Sequence, residues 1–137
     1  MDHKLFAYVY TCYDPKILNK LIEYCDECFG KGNYIFDADP GAVKNLVSPS
    51  HVHALSFVLW KMKLAHEKVH LVDIFLLINH SLCGAYAADG ATFDDRQKEM
   101  EFHTNELQKA EKLVTDNFPA VPIETHFFLK EEQKMAW

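Results

Sequence analysis

Strand-type and helix-type segments take turns along this chain, and that alternation constrains the fold more than any other feature of the sequence. Residues 5–11 (LFAYVYT) are aromatic and β-branched and predict a strand buried on both faces. Asp14-Pro15 follows, a helix N-cap residue with proline at the first helical position. Ile17, Leu18, Leu21, Ile22 and Cys25 then recur at helical spacing to about Phe29, and Gly30-Lys31-Gly32-Asn33 stops the helix. Tyr34–Ala38 predicts a second strand, ended by Asp39-Pro40-Gly41. Ser48-Pro49 predicts the start of another helix, with Val52, Leu55, Leu59 and Met62 as its apolar stripe. Residues 72–79 (VDIFLLIN) are the most apolar stretch and predict the central strand. Residues 80–90 are rich in small side chains, with room for a short helix, and Asp94 or Asp95 starts a long polar helix to about Asn117. Ile123–Leu129 predicts a fourth strand at a sheet edge, followed by a polar tail.

The order β-α-β-α-β-α-β predicts an α/β fold, with a mainly parallel four-stranded sheet flanked by helices through right-handed crossovers. A strand order of 2-1-3-4 makes the first and third strands neighbours. Their carboxyl ends then form a topological switch point, where open α/β sheets hold their ligands. With 137 residues, the chain predicts a single domain over 1–137. Lys plus Arg number 14 and Asp plus Glu 20, and the net charge of −6 argues against a nucleic-acid partner or an anionic membrane surface. No apolar run is long enough to span a bilayer. The start, Met1-Asp2-His3-Lys4, lacks a signal-peptide n-region. The expectation is a cytoplasmic protein whose four cysteines are thiols or metal ligands, not disulfides.

Thr11-Cys12-Tyr13-Asp14-Pro15-Lys16 follows the first strand, and Asn79-His80-Ser81-Leu82-Cys83-Gly84 follows the third. Two thiols and an imidazole thus fall at the switch point. Two thiolates and one imidazole suit Zn²⁺, and three protein ligands leave an open fourth position, as in catalytic sites. Zinc so held lowers the pKa of bound water to about 7. Asp14 can accept a hydrogen bond from the resulting hydroxide, can ligate the metal itself, or can serve only as the helix cap.

Cys12-Tyr13-Asp14-Pro15-Lys16 and His80-Ser81-Leu82-Cys83-Gly84 resemble the C-x-D-x-R and H-x-x-C-G signatures of the β-class carbonic anhydrases. The element order is similar over almost the whole chain. The resemblance implies reversible hydration of CO₂ to bicarbonate by zinc-bound hydroxide, with Cys12, His80 and Cys83 as zinc ligands. It implies that Asp14 orients the hydroxide, that Lys16 stands where the family's arginine pairs with that aspartate, and that the protein is a homodimer. Lysine lacks the guanidinium fork, so a looser hold on Asp14 is expected, with low or strongly pH-dependent activity. Two departures accompany it. Asp39-Pro40-Gly41 replaces an Asn-Ala-Gly-like turn, and an early first strand leaves no N-terminal helical arm. Two other readings use the same metal. One is a zinc-holding sensor or binding module without hydratase activity, and the other a hydrolase acting on a small molecule such as CS₂.

Cys25-Asp26-Glu27-Cys28 is a C-x-x-C, the spacing of half a zinc site or a redox pair, but it lies at the end of a helix where its two acids raise thiol pKa and favour a structural role. His51 and His53 read as surface or capping residues, with a proton shuttle as the sharper alternative. His103 and His126 read as surface or interface residues, and the charged run 94–111 as a solvated helix face. Arg96, the single arginine, reaches the site only if the loop after Gly84 folds back. Contact candidates for the dimer are the edge strand at Thr125 to Leu129 and the tail Met135-Ala136-Trp137.

Overall fold

The computed structural model describes residues 5–69 and 71–137. The reading of Met1 to Lys4 as a start without an n-region lies outside the described residues.

The central strands form where the sequence is most continuously apolar. β1 (Ala7–Thr11) and β3 (Ile74–His80) are buried at every position. β1 pairs parallel with β2 (Tyr34–Ala38) on one side and with β3 on the other. β3 pairs parallel with β4 (Ile123–Leu129). The predicted order 2-1-3-4 is the observed one, with an added strand, β5 (Lys134–Met135), antiparallel outside β4. β4 is therefore not the edge. The tail folds back at Gln133, whose φ is +54°, and pairs Met135 with Phe128 and Lys134 with Leu129.

α1 (Pro15–Phe29) starts as the sequence predicts: Asp14 caps it by accepting the Lys16 backbone N–H at 2.9 Å, and Pro15 opens it. Its buried residues Ile17, Leu21, Cys25 and Phe29 cover one face of the sheet, against Val9, Leu76 and Ile78. The other face, with Tyr8, Tyr10, Phe75 and Leu77, is covered by three helices. These are α2 (Lys44–Val47), α3 (Ala54–Leu64), which continues as a π-helical turn over Ala65–Val69, and α5 (Arg96–Asn117). Burial on both faces is the reason the strands read as continuous apolar runs rather than alternating ones.

The short helix expected in residues 80–90 is α4 (Gly84–Ala88). Ser48-Pro49 does not open a helix: α3 begins at Ala54 without a side-chain cap. Ser48 instead closes α2 and turns its hydroxyl to Glu106 on α5 at 3.0 Å. Among the described residues no helix is long and apolar enough to cross a membrane.

Candidate metal centre

The carboxyl ends of β1 and β3 bring Cys12, His80 and Cys83 together. Their ligand atoms all lie within 4.8 Å of one another, and all three residues are buried. Cys12 Sγ and Cys83 Sγ are 4.0 Å apart. Two thiolates about 2.3 Å from one tetrahedral zinc stand about 3.8 Å apart, so the observed spacing is within a small adjustment of a closed pair.

His80 is the most telling of the three. Its Nδ1 lies 2.7 Å from Ser81 O, and a carbonyl oxygen only accepts, so the ring proton is on Nδ1. Nε2 is then a bare lone pair, buried and without a hydrogen-bond partner. An orphaned buried acceptor costs free energy unless something occupies it. A carbonyl that fixes the tautomer of a ring whose other nitrogen faces thiols is the usual support for a metal-binding histidine. The soft S₂N donor set and the orphaned nitrogen together fit a zinc-type ion.

The thiols are tuned to match. Cys12 is drawn to about 4 by its hydrogen bond with Cys83, against the opposing effect of burial. His80 and the Gly41 N–H, 3.3 Å from the sulfur, also lower it. Cys83 is pushed up, first by the Cys12 sulfur and then by burial. Gly41 has a φ of +75° in the Asp39-Pro40-Gly41 turn, and a Cβ there would meet Ala85 and Lys44 at 3.1 Å. Glycine thus lets the turn present its N–H to Cys12.

Asp14 is not one of the clustered atoms. Both of its oxygens are engaged elsewhere. Oδ1 takes the Lys16 N–H, and Oδ2 is 2.6 Å from Lys130 Nζ, on the turn after β4. Burial pushes the Asp14 carboxyl up, but the Lys130 ammonium and the Lys16 N–H outweigh it and hold it below the usual carboxylate range. Lys16 contributes its backbone; its residue is exposed, and its carbonyl accepts from Gln133 Nε2 at 2.8 Å.

The loop between His80 and Cys83 is braced from outside. Ser81 N–H donates to Phe128 O at 2.9 Å, and Ser81 Oγ accepts the Lys130 N–H at 2.8 Å and bonds Glu131. Glu131 pairs with Arg96, and Arg96 with Glu99 at 3.4 Å. Glu99 accepts the Leu82 N–H at 2.8 Å, where Leu82 holds a φ of +55°. Arg96 therefore does approach the loop, through Glu131 and Glu99. A cavity of about 480 Å³ opens beside Cys83, with Leu82, Tyr86, Phe93, Arg96 and His103 in its wall.

Other candidates fall apart from the centre. Cys25 is buried and pushed up to about 12, first by burial and then by the neighbouring Cys28 and Asp26, while Cys28 is exposed. His51 and His53 are exposed and border a different cavity with Asp39 and Phe57. His103 is not a surface residue: it is 1% exposed, ringed by Tyr86, Phe102 and Phe127, and accepts from Asn79 Nδ2 at 3.0 Å. Nor is the 94–111 run wholly solvated, because Glu99 and Glu106 are buried where they bond Leu82 and Ser48. Sequence reasoning missed Lys130, Glu131 and Glu99. No spacing signal marks them, since each meets the site across a long stretch of chain.

No family model matches the chain. It is 28% identical over 117 residues to an uncharacterised protein of Rickettsia bellii, covering 84% of this chain and 71% of that protein. Its fold is similar to the crystal structure of the β-carbonic anhydrase CafA of the fungal pathogen Aspergillus fumigatus. The TM-score is 0.51 at 14% identity, covering 97% of this chain and 74% of that one. At that identity the likeness is one of fold.

Proposed function

We propose that this chain is a zinc-dependent hydratase that interconverts CO₂ and bicarbonate. The observation that carries the reading is the orphaned Nε2 of His80, set among two thiols at the switch point of a sheet similar to that of a β-carbonic anhydrase. Cys12, His80 and Cys83 would hold the ion. When bound, zinc supplies a Lewis acid that makes water a nucleophile near neutral pH.

The rest of the work falls to the chain. The Ser81 carbonyl keeps the His80 proton on Nδ1, and the Gly41 N–H stabilises the Cys12 thiolate. Asp14, kept ionised by Lys130, accepts a hydrogen bond from the attacking water and orients it. The homodimer implied by the resemblance belongs to this reading, at a different edge from the one expected. The tail covers β4, since Ala136 N–H donates to Phe127 O at 2.7 Å and Trp137 stacks on Phe127. Among the described residues the outer side of β2 has no strand beside it, and nearby α3 exposes Phe57, Trp60 and Leu64.

The test is zinc content and stopped-flow CO₂ hydration on one preparation, wild type against Cys83→Ser. Zinc-dependent hydration lost in the variant is expected. Bound zinc with no hydration at any pH contradicts the reaction, and would favour a zinc-holding module or a hydrolase of another small molecule such as CS₂.

A further inference from the structure

The two partners of the Asp14 carboxylate come from opposite ends of the chain. The near one, Lys16, gives only a backbone N–H; the charged one is Lys130 Nζ, 2.6 Å from Oδ2. Lys130 is itself anchored to the metal loop, because its own N–H donates to Ser81 Oγ at 2.8 Å. Ser81 lies between the ligand candidates His80 and Cys83, and its N–H is tied to Phe128 O on β4. One residue is thus joined to the ligand loop through its backbone and to Asp14 through its side chain. The two side chains are 21% and 15% exposed, so the pair is largely shielded from the screening that weakens surface ion pairs.

We infer that Lys130 is the positioning residue for Asp14. The inference rests on the hydratase reading and deepens it: the cation that the resemblance placed at position 16 is supplied from the turn after β4. An ammonium is a compact charge and takes one oxygen, where a guanidinium takes two. Here it takes Oδ2 and leaves Oδ1 to the first turn of α1. A carboxylate has about four lone-pair sites, so Asp14 keeps capacity for one more donor. It cannot turn to ligate a metal without giving up the ammonium.

The test uses the full chain loaded with Co²⁺ or Zn²⁺. Lys130→Met removes the charge and keeps the stem, and Lys134→Met, on exposed β5, controls for a lost surface charge. Lys130→Met should lower kcat for CO₂ hydration about 10–100-fold, with KM little changed. It should also alter the visible spectrum of the cobalt form as Asp14 joins the coordination, and adding Asp14→Asn should abolish that change. Lys130→Arg should restore both properties, and Lys16→Arg should recover part of the rate lost in Lys130→Met. Wild-type kcat and spectrum in Lys130→Met overturn the inference, as does a spectral change that survives Asp14→Asn. If wild type does not hydrate CO₂ but the Asp14-dependent spectral change is present, the positioning role stands and the proposed reaction falls. Should Lys130→Met not fold, Lys130→Gln carries the same two readouts.

Discussion

Two histidines near the carboxyl end of the sheet each have the role of Nδ1 set by a single hydrogen bond, with opposite consequences. His80 has Nε2 bare and facing thiols, whereas His103 accepts from Asn79 and lies among aromatic rings. Burial of the ring among its aromatic neighbours lowers the His103 pKa from 6.5 to about 4. Above pH 6.5 neither the folded nor the unfolded chain protonates it, so its contribution to stability is fully present. As pH falls from 6.5 towards 4 the unfolded chain binds the proton and the folded one does not. Stability should therefore drop over that window, by on the order of 3 kcal/mol for this group. An NMR titration of the His103 ring should give a midpoint near 4; a midpoint near 6.5 would contradict its burial as a neutral ring. At this scale the candidate ligands were legible, because Cys12, His80 and Cys83 sit in short motifs at strand ends. Lys130 and the buried state of His103 were not, because each depends on which strand lies beside which.

Among the elements, the N-terminal turn of α5 has a role that its charged sequence conceals. Glu99 reaches across to the Leu82 N–H and keeps the His80–Cys83 loop in its left-handed bend. Glu99→Ala should leave that N–H without its acceptor and Arg96 with Glu131 alone. The expected cost is about 1 kcal/mol in denaturant unfolding. Zinc affinity, measured by chelator competition, should fall about 10-fold or more. Unchanged stability and affinity would show that the loop holds its shape unaided. The long elements were legible by periodicity and caps: Asp14-Pro15 opens α1, and Asp95 caps α5 through the Lys98 N–H at 2.9 Å. α2, four residues long, and β5, two residues long, are too short for any period to show. Ser48-Pro49 carried a start signal that Glu106 claimed instead.

For the molecule as a whole, alternation of segment types and the burial of β1 and β3 on both faces were enough to give the parallel sheet and its 2-1-3-4 order. Which edge stays open was not readable, because that depends on the tail folding back over β4. With β4 covered, the homodimer proposed here should use the outer side of β2 and the exposed Phe57, Trp60 and Leu64 of α3. Light scattering should give a dimer mass for wild type and a monomer mass for Trp60→Asp. A concentration-independent monomer in wild type contradicts the dimer, and a dimer unaffected by Trp60→Asp contradicts this edge. The proposed hydratase activity, however, depends on metal held at the sheet's switch point. Binding there should also stabilise the fold, since the folded chain assembles the ligands and the unfolded one does not. Metal analysis of wild type, Cys83→Ser and His80→Ala, each paired with a thermal melt, tests this most directly. One zinc per chain in wild type, with zinc lost and melting temperature lowered in both variants, is the predicted result; full zinc occupancy in the variants would contradict the account.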